Sequence, residues 1–252
     1  DNINLTYSDM LAKFTHRFSP SNSISLTMYN GNDRLQLTKE NTFEDNDFKL
    51  KVYDRNGLDW GNRLATLKWN VLLSDKLSLK LQTGALKYNN GSRSSYQFET
   101  ITSDSSKTDE LDVISKSNIT DLNIKSDLEY YLNDNHVLRA GSNLIFQKFN
   151  PTVKQSTFIL AGNAENIIDQ DSVIETRQYQ FYIEDNFKIN TTLFLYTGFH
   201  FGTFSQGKTR YNSLQPRVKL LWTPFQQHIF SLAYSKMTQF VHLLSNSGLG
   251  LP

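Results

Sequence analysis

Histidine offers the widest chemistry of any side chain in this sequence, because imidazole binds metals and transfers protons near neutral pH. The chain contains His16, His136, His200, His228 and His242. None of them stands in an HExxH or HxH spacing, which would bring two imidazoles to one metal. The GxSxG motif of a hydrolase nucleophile is also absent. Each histidine is therefore interpreted as structural or solvated, and the sequence predicts no catalytic residue and no enzyme.

Metal and cofactor binding have equally little support. The sequence contains no cysteine, so neither a disulfide nor a thiolate metal site is available. Glu44, Asp45 and Asp47 could supply oxygen ligands to Ca²⁺, although a solvated acidic segment is the simpler interpretation. Gly248 and Gly250 lack the strand, turn and helix that surround a nucleotide-binding fingerprint. We expect no metal and no cofactor.

Composition argues against two classes of protein. Lys and Arg total 26 while Asp and Glu total 25, so no net charge favours nucleic acid as a partner. No run of about 18 apolar residues exists, which excludes a transmembrane helix. Aromatic residues nevertheless make up 13% of the chain, although its mean hydropathy is only −0.48. Half-buried strands produce this combination of many rings and a polar average.

A period of two residues positions most of the polar and apolar side chains. In the last hairpin, Leu214, Leu220 and Trp222 share one parity, while Arg217 and Lys219 share the other. Because successive side chains of a strand point to opposite faces, such a run has one apolar and one polar face. About ten runs of this kind form five hairpins, with turns near residues 21, 75, 134, 190 and 225. No helical period of comparable strength occurs, so the sequence predicts an all-β fold.

The connections between these runs alternate between short turns and long polar stretches. The long stretches extend from Gly31 to about Asp59, from Asn89 to about Ser117 and from Asn150 to about Ser172. Compact soluble domains rarely contain connections longer than about 12–15 residues. Short turns at one end and long loops at the other are typical of a transmembrane antiparallel β-barrel. A soluble sandwich and a propeller are the alternatives.

A barrel assigns the two faces to two environments. Rings beside the short turns are predicted to lie at the membrane interface, with packing beneath the hairpin ends as the alternative. These aromatic residues are Phe18, Tyr130, Tyr131, Phe187, Trp222 and Phe225. Polar residues of the other parity are predicted to face the lumen and to contact ligand, or else to pair with a plug. The candidates are Arg139, Tyr182, Glu184, His200, Arg217 and Lys219.

One charge fits this assignment badly. Asp185 lies on the apolar parity between Ile183 and Phe187. A charged side chain facing lipid costs up to about 2–4 kcal/mol for a basic residue at the midplane, and less for Asp or near an interface. Asp185 is therefore expected either to lie close to the periplasmic rim or to follow a bulge that shifts the register.

Two segments resemble a known family. The run YQFYIEDNFK at Tyr179–Lys188 resembles a barrel segment of TonB-dependent outer-membrane receptors of the Bacteroidota. The final stretch is more similar still, with SLQPRVKLLW followed by SLAYSKMTQFVHLLSNSGLGLP. The resemblance implies a bacterial outer-membrane barrel, usually of 22 strands, with a globular plug inside it. It also implies import of a scarce nutrient, such as a metal chelate, a corrinoid or an oligosaccharide.

The resemblance also implies partners. These are membrane lipid, the receptor's own plug domain, the TonB complex acting through an N-terminal region missing from this chain, and a surface lipoprotein. The chain shows no plug-like segment and no TonB box, and it ends at Leu251–Pro252 without a terminal aromatic strand. At roughly 550 residues for a barrel of 22 strands, residues 1–252 are expected to be a single internal barrel segment, without the plug and the remaining strands.

Two other functions stay open from the sequence. A complete ten-stranded outer-membrane barrel could act as a surface protease, with acidic residues and histidines at its loop rim. A soluble surface-binding β-domain is the weaker alternative. The import receptor is favoured because it alone accounts for the two family-like segments.

Overall fold

A computed structural model describes residues 2–45, 48–160, 163–170, 173–225 and 227–241. In these ranges every regular element is a β-strand, as the sequence predicts. The strands are β1 (Asn2–Ser19), β2 (Asn22–Glu44), β3 (Phe48–Ser74), β4 (Leu77–Thr102), β5 (Ser106–Tyr131), β6 (His136–Leu160), β7 (Asn163–Gln170), β8 (Ile174–Lys188), β9 (Leu193–Gln206), β10 (Thr209–Phe225) and β11 (His228–Ser235). Among the described residues, no helix is long and apolar enough to cross a membrane.

All eleven strands belong to one sheet, in which neighbours in sequence are mostly neighbours in space. The order is β1-β2-β3-β4-β5-β6-β8-β9-β10-β11, and β7 pairs with β6 away from this path. The ten strands of the path correspond to the ten predicted ones. The additional strand, β7, pairs antiparallel with the end of β6, from Val153 opposite Gln170 to Leu160 opposite Asn163.

Asparagine side chains fix two of the short turns. The Oδ1 of Asn133 accepts hydrogen bonds from the backbone N–H groups of Asn135 and His136, at 2.9 and 3.0 Å. The Oδ1 of Asn190 accepts from the N–H groups of Thr192 and Leu193, both at 2.9 Å. Asn favours turns because its side chain can replace a backbone acceptor in this way. The predicted turn near residue 225 includes Gln226, which lies outside the described residues.

The prediction of three long polar connections is wrong. Most of the first stretch lies in β2 and β3, and most of the second lies in β4 and β5, which are separated only by residues 103–105. The third contains the end of β6 and the whole of β7. Strands of 23 to 27 residues result. Since about 9–11 residues cross a membrane, most of each long strand is free to be polar on both faces.

Ion pairs tie these polar strand ends together. Lys51 Nζ lies 3.1 Å from Glu99 Oε2, and this hydrogen bond raises the pKa of Lys51 above its ordinary value. Arg93 contacts both carboxylate oxygens of Asp112 at 2.9 Å. Cross-strand pairs of opposite charge stabilise a sheet without an apolar face, which explains how such polar segments remain strands.

The two predicted faces are clearest across β8 to β11. One register row joins Phe187, Leu195, Leu220 and Leu232 from four neighbouring strands. The apolar face is open, with Leu232 exposed by 75%. Phe204 is the one large apolar side chain buried among the described residues. A sheet with an exposed apolar face and almost no core of its own needs a non-aqueous environment on that face.

The chain divides into two compact units, each built from several segments. The first comprises Asp1–Trp69, Gln82–Asn123 and Phe146–Glu175, and it contains the polar strand ends described above. The second comprises Asn70–Leu81, Ile124–Ile145 and Thr176–Pro252. All six predicted lumen residues belong to the second unit.

Candidate functional site on the polar face of β8 to β10

The strand registers bring five of the six predicted lumen residues into adjacent rows. Tyr182 lies opposite His200, and Glu184 lies opposite Gly198. The next strand continues these rows with Gln215 opposite His200 and Arg217 opposite Gly198, while Lys219 lies opposite Tyr196. The side chains of these rows on β8, β9 and β10 form what we call the polar face. It is continuous because the ladders between these strands show no register shift over these residues.

Tyr182 is the best anchored residue of the polar face. Its hydroxyl donates a hydrogen bond to Asp127 Oδ1 at 2.6 Å, and its ring stacks on that of His200 with centroids 5.1 Å apart. The ring lies directly over Gly141, where an added Cβ would fall 2.5 Å from Tyr182 Cε1. Gly141 therefore provides the space that this ring occupies.

His200 and Glu184 form a second pair beside Tyr182. His200 Nε2 lies 2.7 Å from Glu184 Oε1, and both side chains are half-buried. Gly198 lies beneath Glu184, since a Cβ added there would be 3.0 Å from Glu184 Cγ. The absence of a side chain at Gly198 lets the carboxylate lie across the strand to reach the imidazole.

Arg139 is held by a carboxylate that the candidate set did not include. Its Nε lies 2.6 Å from Glu129 Oε2, and Tyr131 donates its hydroxyl to the other oxygen at 2.8 Å. Tyr131 consequently lies on the same side of the sheet as Glu129, whereas the alternating parity of β5 puts Tyr130 on the other side. The predicted interface role of Tyr131 stays a prediction.

Arg217 and Lys219 differ from the other candidates because no carboxylate among the described residues forms an ion pair with either of them. Arg217 Nε is shielded from solvent and has no hydrogen-bond partner in the described part of the chain. Lys219 Nζ lies 5.7 Å from the centre of the Tyr196 ring, which gives a cation–π contact. Both residues, with Arg139 and Glu184, line a groove of about 330 Å³.

Residues after β11 cover part of the polar face, which the sequence did not predict. We call Lys236–Val241 the return segment. Its Phe240 ring stacks on Phe204 with centroids 5.7 Å apart, and the backbone N–H of Lys236 donates to Pro216 O at 3.1 Å. An isolated Phe on the polar parity of β9 was the available signal, because an apolar ring there requires a partner.

The predicted interface aromatics lie beside the short turns, and four of them are open. Exposure is 62% for Phe18, 38% for Tyr130, 48% for Trp222 and 70% for Phe225. Phe187 is half-buried because the His136 ring stacks on it at 4.2 Å. The interface role of these residues stays a prediction.

His16 and His228 each pack against a phenylalanine ring. His16 packs edge-on against Phe18 at 4.6 Å, and His228 stacks on Phe230 at 6.4 Å. His242 lies outside the described residues, as do Asp47, Gly248 and Gly250. Where the chain is described, no group of three or more His, Cys, Asp or Glu residues could hold a metal ion.

The arrangement can bind and orient a polar molecule. Its groups are guanidinium, ammonium, imidazole, phenol and carboxylate, each fixed by a neighbour or aimed into a groove. An antiparallel sheet of hairpins with this face opposite an exposed apolar face defines the wall of an outer-membrane β-barrel.

A family comparison makes the class specific. Residues 3–240 match the family model described as TonB dependent receptor-like, beta-barrel. The chain therefore belongs to the family of TonB-dependent receptor barrels, whose members are bacterial outer-membrane proteins. These are transport receptors rather than enzymes, so the alternatives of a barrel protease and of a soluble β-domain are set aside. No curated protein sequence matches the chain.

Three solved receptors align with most of this chain at very low sequence identity, and the first of them supports the shared fold. The siderophore receptor PiuA from Acinetobacter baumannii is 10% identical, with a TM-score of 0.51 over 91% of this chain and 47% of that chain. The ferric-catecholate import receptor Fiu from K12 E. coli is 8% identical, with a TM-score of 0.47 over 92% and 49%. The ferric citrate transporter FecA is 10% identical, with a TM-score of 0.49 over 88% and 40%. The chain thus spans less than half the length of these receptors.

Proposed function

We propose that this chain is the barrel portion of a receptor that actively imports a scarce nutrient across the bacterial outer membrane. The nutrient is a metal chelate, a corrinoid or an oligosaccharide. The observation that carries the proposal is a hydrogen-bonded polar face opposite an exposed apolar face on the same strands. In a barrel, such strands put lipid outside and a polar passage inside.

The chemistry of the polar face suits passage better than permanent capture. A wall of hydroxyl, imidazole, carboxylate and guanidinium groups holds a solute through several moderate hydrogen bonds and releases it again. We propose that the six candidate residues face this passage, where they contact the solute or the plug. They are Arg139, Tyr182, Glu184, His200, Arg217 and Lys219.

The edges of the sheet support a larger barrel. β1 and β11 end the path of paired strands, and the residues of both strands are exposed throughout. Within a membrane every strand edge must find hydrogen-bond partners. We propose that further strands of the same protein pair with β1 and β11, for a total near 22, and that a plug domain fills the barrel.

The partners follow from the same proposal. Membrane lipid covers the apolar face, and the TonB complex supplies energy through the plug region. The resemblance of YQFYIEDNFK and of the final stretch to receptors of the Bacteroidota supports an origin in that group. It also supports a surface lipoprotein as a further partner. The siderophore receptor PiuA shares only the fold at 10% identity, so it does not narrow the choice of nutrient.

Uptake by cells tests the proposal. A strain lacking the whole gene is compared with its complemented form for uptake of labelled iron chelate, cobalamin and oligosaccharide, each with and without a functional TonB complex. We expect one nutrient class to require both the gene and the TonB complex. Uptake of all three classes at equal rates in every strain would show that the proposed function is wrong.

A further inference from the structure

The return segment is attached to the polar face at three points. The Lys236 backbone N–H binds Pro216 O at 3.1 Å, the hydroxyls of Ser213 and Thr238 are hydrogen-bonded, and Phe240 stacks on Phe204. Phe204 is only 6% exposed. A side chain at Gly202 would bring its Cβ within 3.2 Å of Phe240 Cε2. The return segment therefore packs at a defined position on β9 and β10.

A concavity of about 610 Å³ lies between the return segment and the sheet. Gln180, His200, Gln215 and Arg217 contribute from the sheet, and Thr238 and Gln239 contribute from the return segment. Ligand sites for small molecules usually measure about 300–1,000 Å³. Amide, imidazole and guanidinium groups supply most of the polar lining, so the concavity is rich in hydrogen-bond donors.

Arg217 decides which ligand chemistry fits. Its Nε is shielded from water and finds no acceptor among the described residues, and a buried donor without a partner is unfavourable. Glu184 Oε1 bonds His200, and no ion pair between Glu184 and Arg217 occurs among the described residues. Gln215, which precedes Arg217 on the same face, is only 7% exposed. The concavity thus combines the Arg217 guanidinium with a buried amide, and none of its described lining residues carries a carboxylate.

We propose that this concavity binds a carboxylate or phosphate group, held by Arg217 and flanked by Gln215 and Gln180. The planar guanidinium presents two parallel N–H donors that match the two oxygens of such an anion. Lys219, two residues further along the same face, adds positive charge at the groove that Arg217 also lines. The anion is either part of an acidic solute or a carboxylate of the receptor itself. As a statement about the solute, this inference rests on the proposed function and names its chemical class.

Calorimetry on the full-length receptor in detergent tests the site with two probes, citrate and inorganic phosphate. We expect Arg217→Gln to weaken binding at least about tenfold, because the loss of a charge-assisted pair has about that effect. Arg217→Lys keeps the positive charge but lacks the two parallel N–H donors of a guanidinium, so this variant is expected to bind the probes with intermediate affinity. Arg210→Gln is the matched control, since Arg210 lies on the same strand and donates to Thr203 at 3.0 Å. Heat-modified migration on gels verifies that each variant is folded.

A melting curve without added anion separates the two sources. If the wild type binds citrate or phosphate and Arg217→Gln does not, the anion is supplied by a solute. If the wild type binds neither probe, but Arg217→Gln and Arg217→Lys melt below Arg210→Gln, the anion is a carboxylate of the receptor. Equal binding by wild type and Arg217→Gln would contradict the proposal, as would no binding together with unchanged melting. This test does not measure uptake by cells. The anion site can therefore be refuted while the proposed import holds, and the proposed import can be refuted while the anion site holds.

Discussion

His136 and Asp185 form a hydrogen-bonded pair, with Nδ1 and Oδ2 2.8 Å apart, at the short-turn ends of β6 and β8. His136 is the first residue of β6, and Asp185 lies three residues before the end of β8. The ladder between β8 and β9 runs without a shift through Asp185 opposite Thr197. A bulge there is therefore wrong, and the alternative of a position near the rim agrees with the structure. His136 explains how a carboxylate is tolerated on the apolar parity.

Removing His136 should destabilise the barrel through Asp185. One carboxylate oxygen, Oδ1, is shielded and has no partner within the described ranges, so His136→Ala would leave the other without its donor as well. We expect a loss of about 1–3 kcal/mol in the free energy of unfolding, the usual cost of an unsatisfied buried group. The double variant His136→Ala with Asp185→Asn should recover part of that loss. Urea unfolding in phospholipid measures both, and a double variant no more stable than His136→Ala would refute the explanation.

Gly141 should tolerate no side chain. A Cβ there would lie 2.4 Å from Ser126 O and 2.5 Å from Tyr182 Cε1. Gly141→Ala is expected to displace the Tyr182 ring, break its bond to Asp127 and cost about 1–3 kcal/mol, the typical price of overpacking. Gly57→Ala is the control, because the nearest atom to its added Cβ is Leu35 O at 3.8 Å. Equal unfolding midpoints for the two variants would show that Tyr182 is not held as described.

The Lys51–Glu99 ion pair should stabilise the folded protein at neutral pH and lose this effect only in alkaline solution. Because its hydrogen bond to Glu99 raises the pKa of Lys51, the pair contributes fully below the ordinary lysine value of about 10.4. The contribution is lost as pH rises through the raised pKa of the folded state. The stability difference between wild type and Lys51→Gln should therefore stay constant from about pH 7 to 9 and shrink above about pH 10. Lys208→Gln, which replaces a lysine in a turn, is the control. If the stability difference between wild type and Lys51→Gln already shrinks between about pH 7 and 9, the ion pair is not its source.

The sequence was informative where one face of a strand meets lipid and the other does not. There the alternation of Ile183 and Phe199 with Tyr182 and His200 identified the strands, the faces and most of the candidate site. The alternation did not identify strands where both faces are exposed to water. Between Gly31 and Asp59 no alternation is required, so a polar strand and a polar loop look alike.

Contacts between distant strands were the other limit. Alternation put Asp127 and Glu129 on the polar parity, but nothing in the sequence indicated that they bind Tyr182 and Arg139. These partners depend on the register between strands, which a period of two residues does not specify. The return segment was missed for a related reason, because Phe240 lies in no periodic run and its partner Phe204 is 36 residues away in sequence.

The return segment should control access to the polar face, and a cross-link can test this. Ser213 and Thr238 are joined by a hydrogen bond between their hydroxyls, so cysteines at both positions are expected to form a disulfide. Residues 1–252 contain no cysteine that could compete. If solute passes along the face that the segment covers, the oxidised double variant Ser213→Cys with Thr238→Cys should import its nutrient at least about tenfold more slowly, since the barrier to displacing a covalently tied segment is high.

A reductant should restore the rate of import, while the single variant Ser213→Cys should respond to neither oxidation nor reduction. Equal uptake by the oxidised and reduced double variant, with the cross-link verified by mass spectrometry, would exclude any role of the return segment in passage.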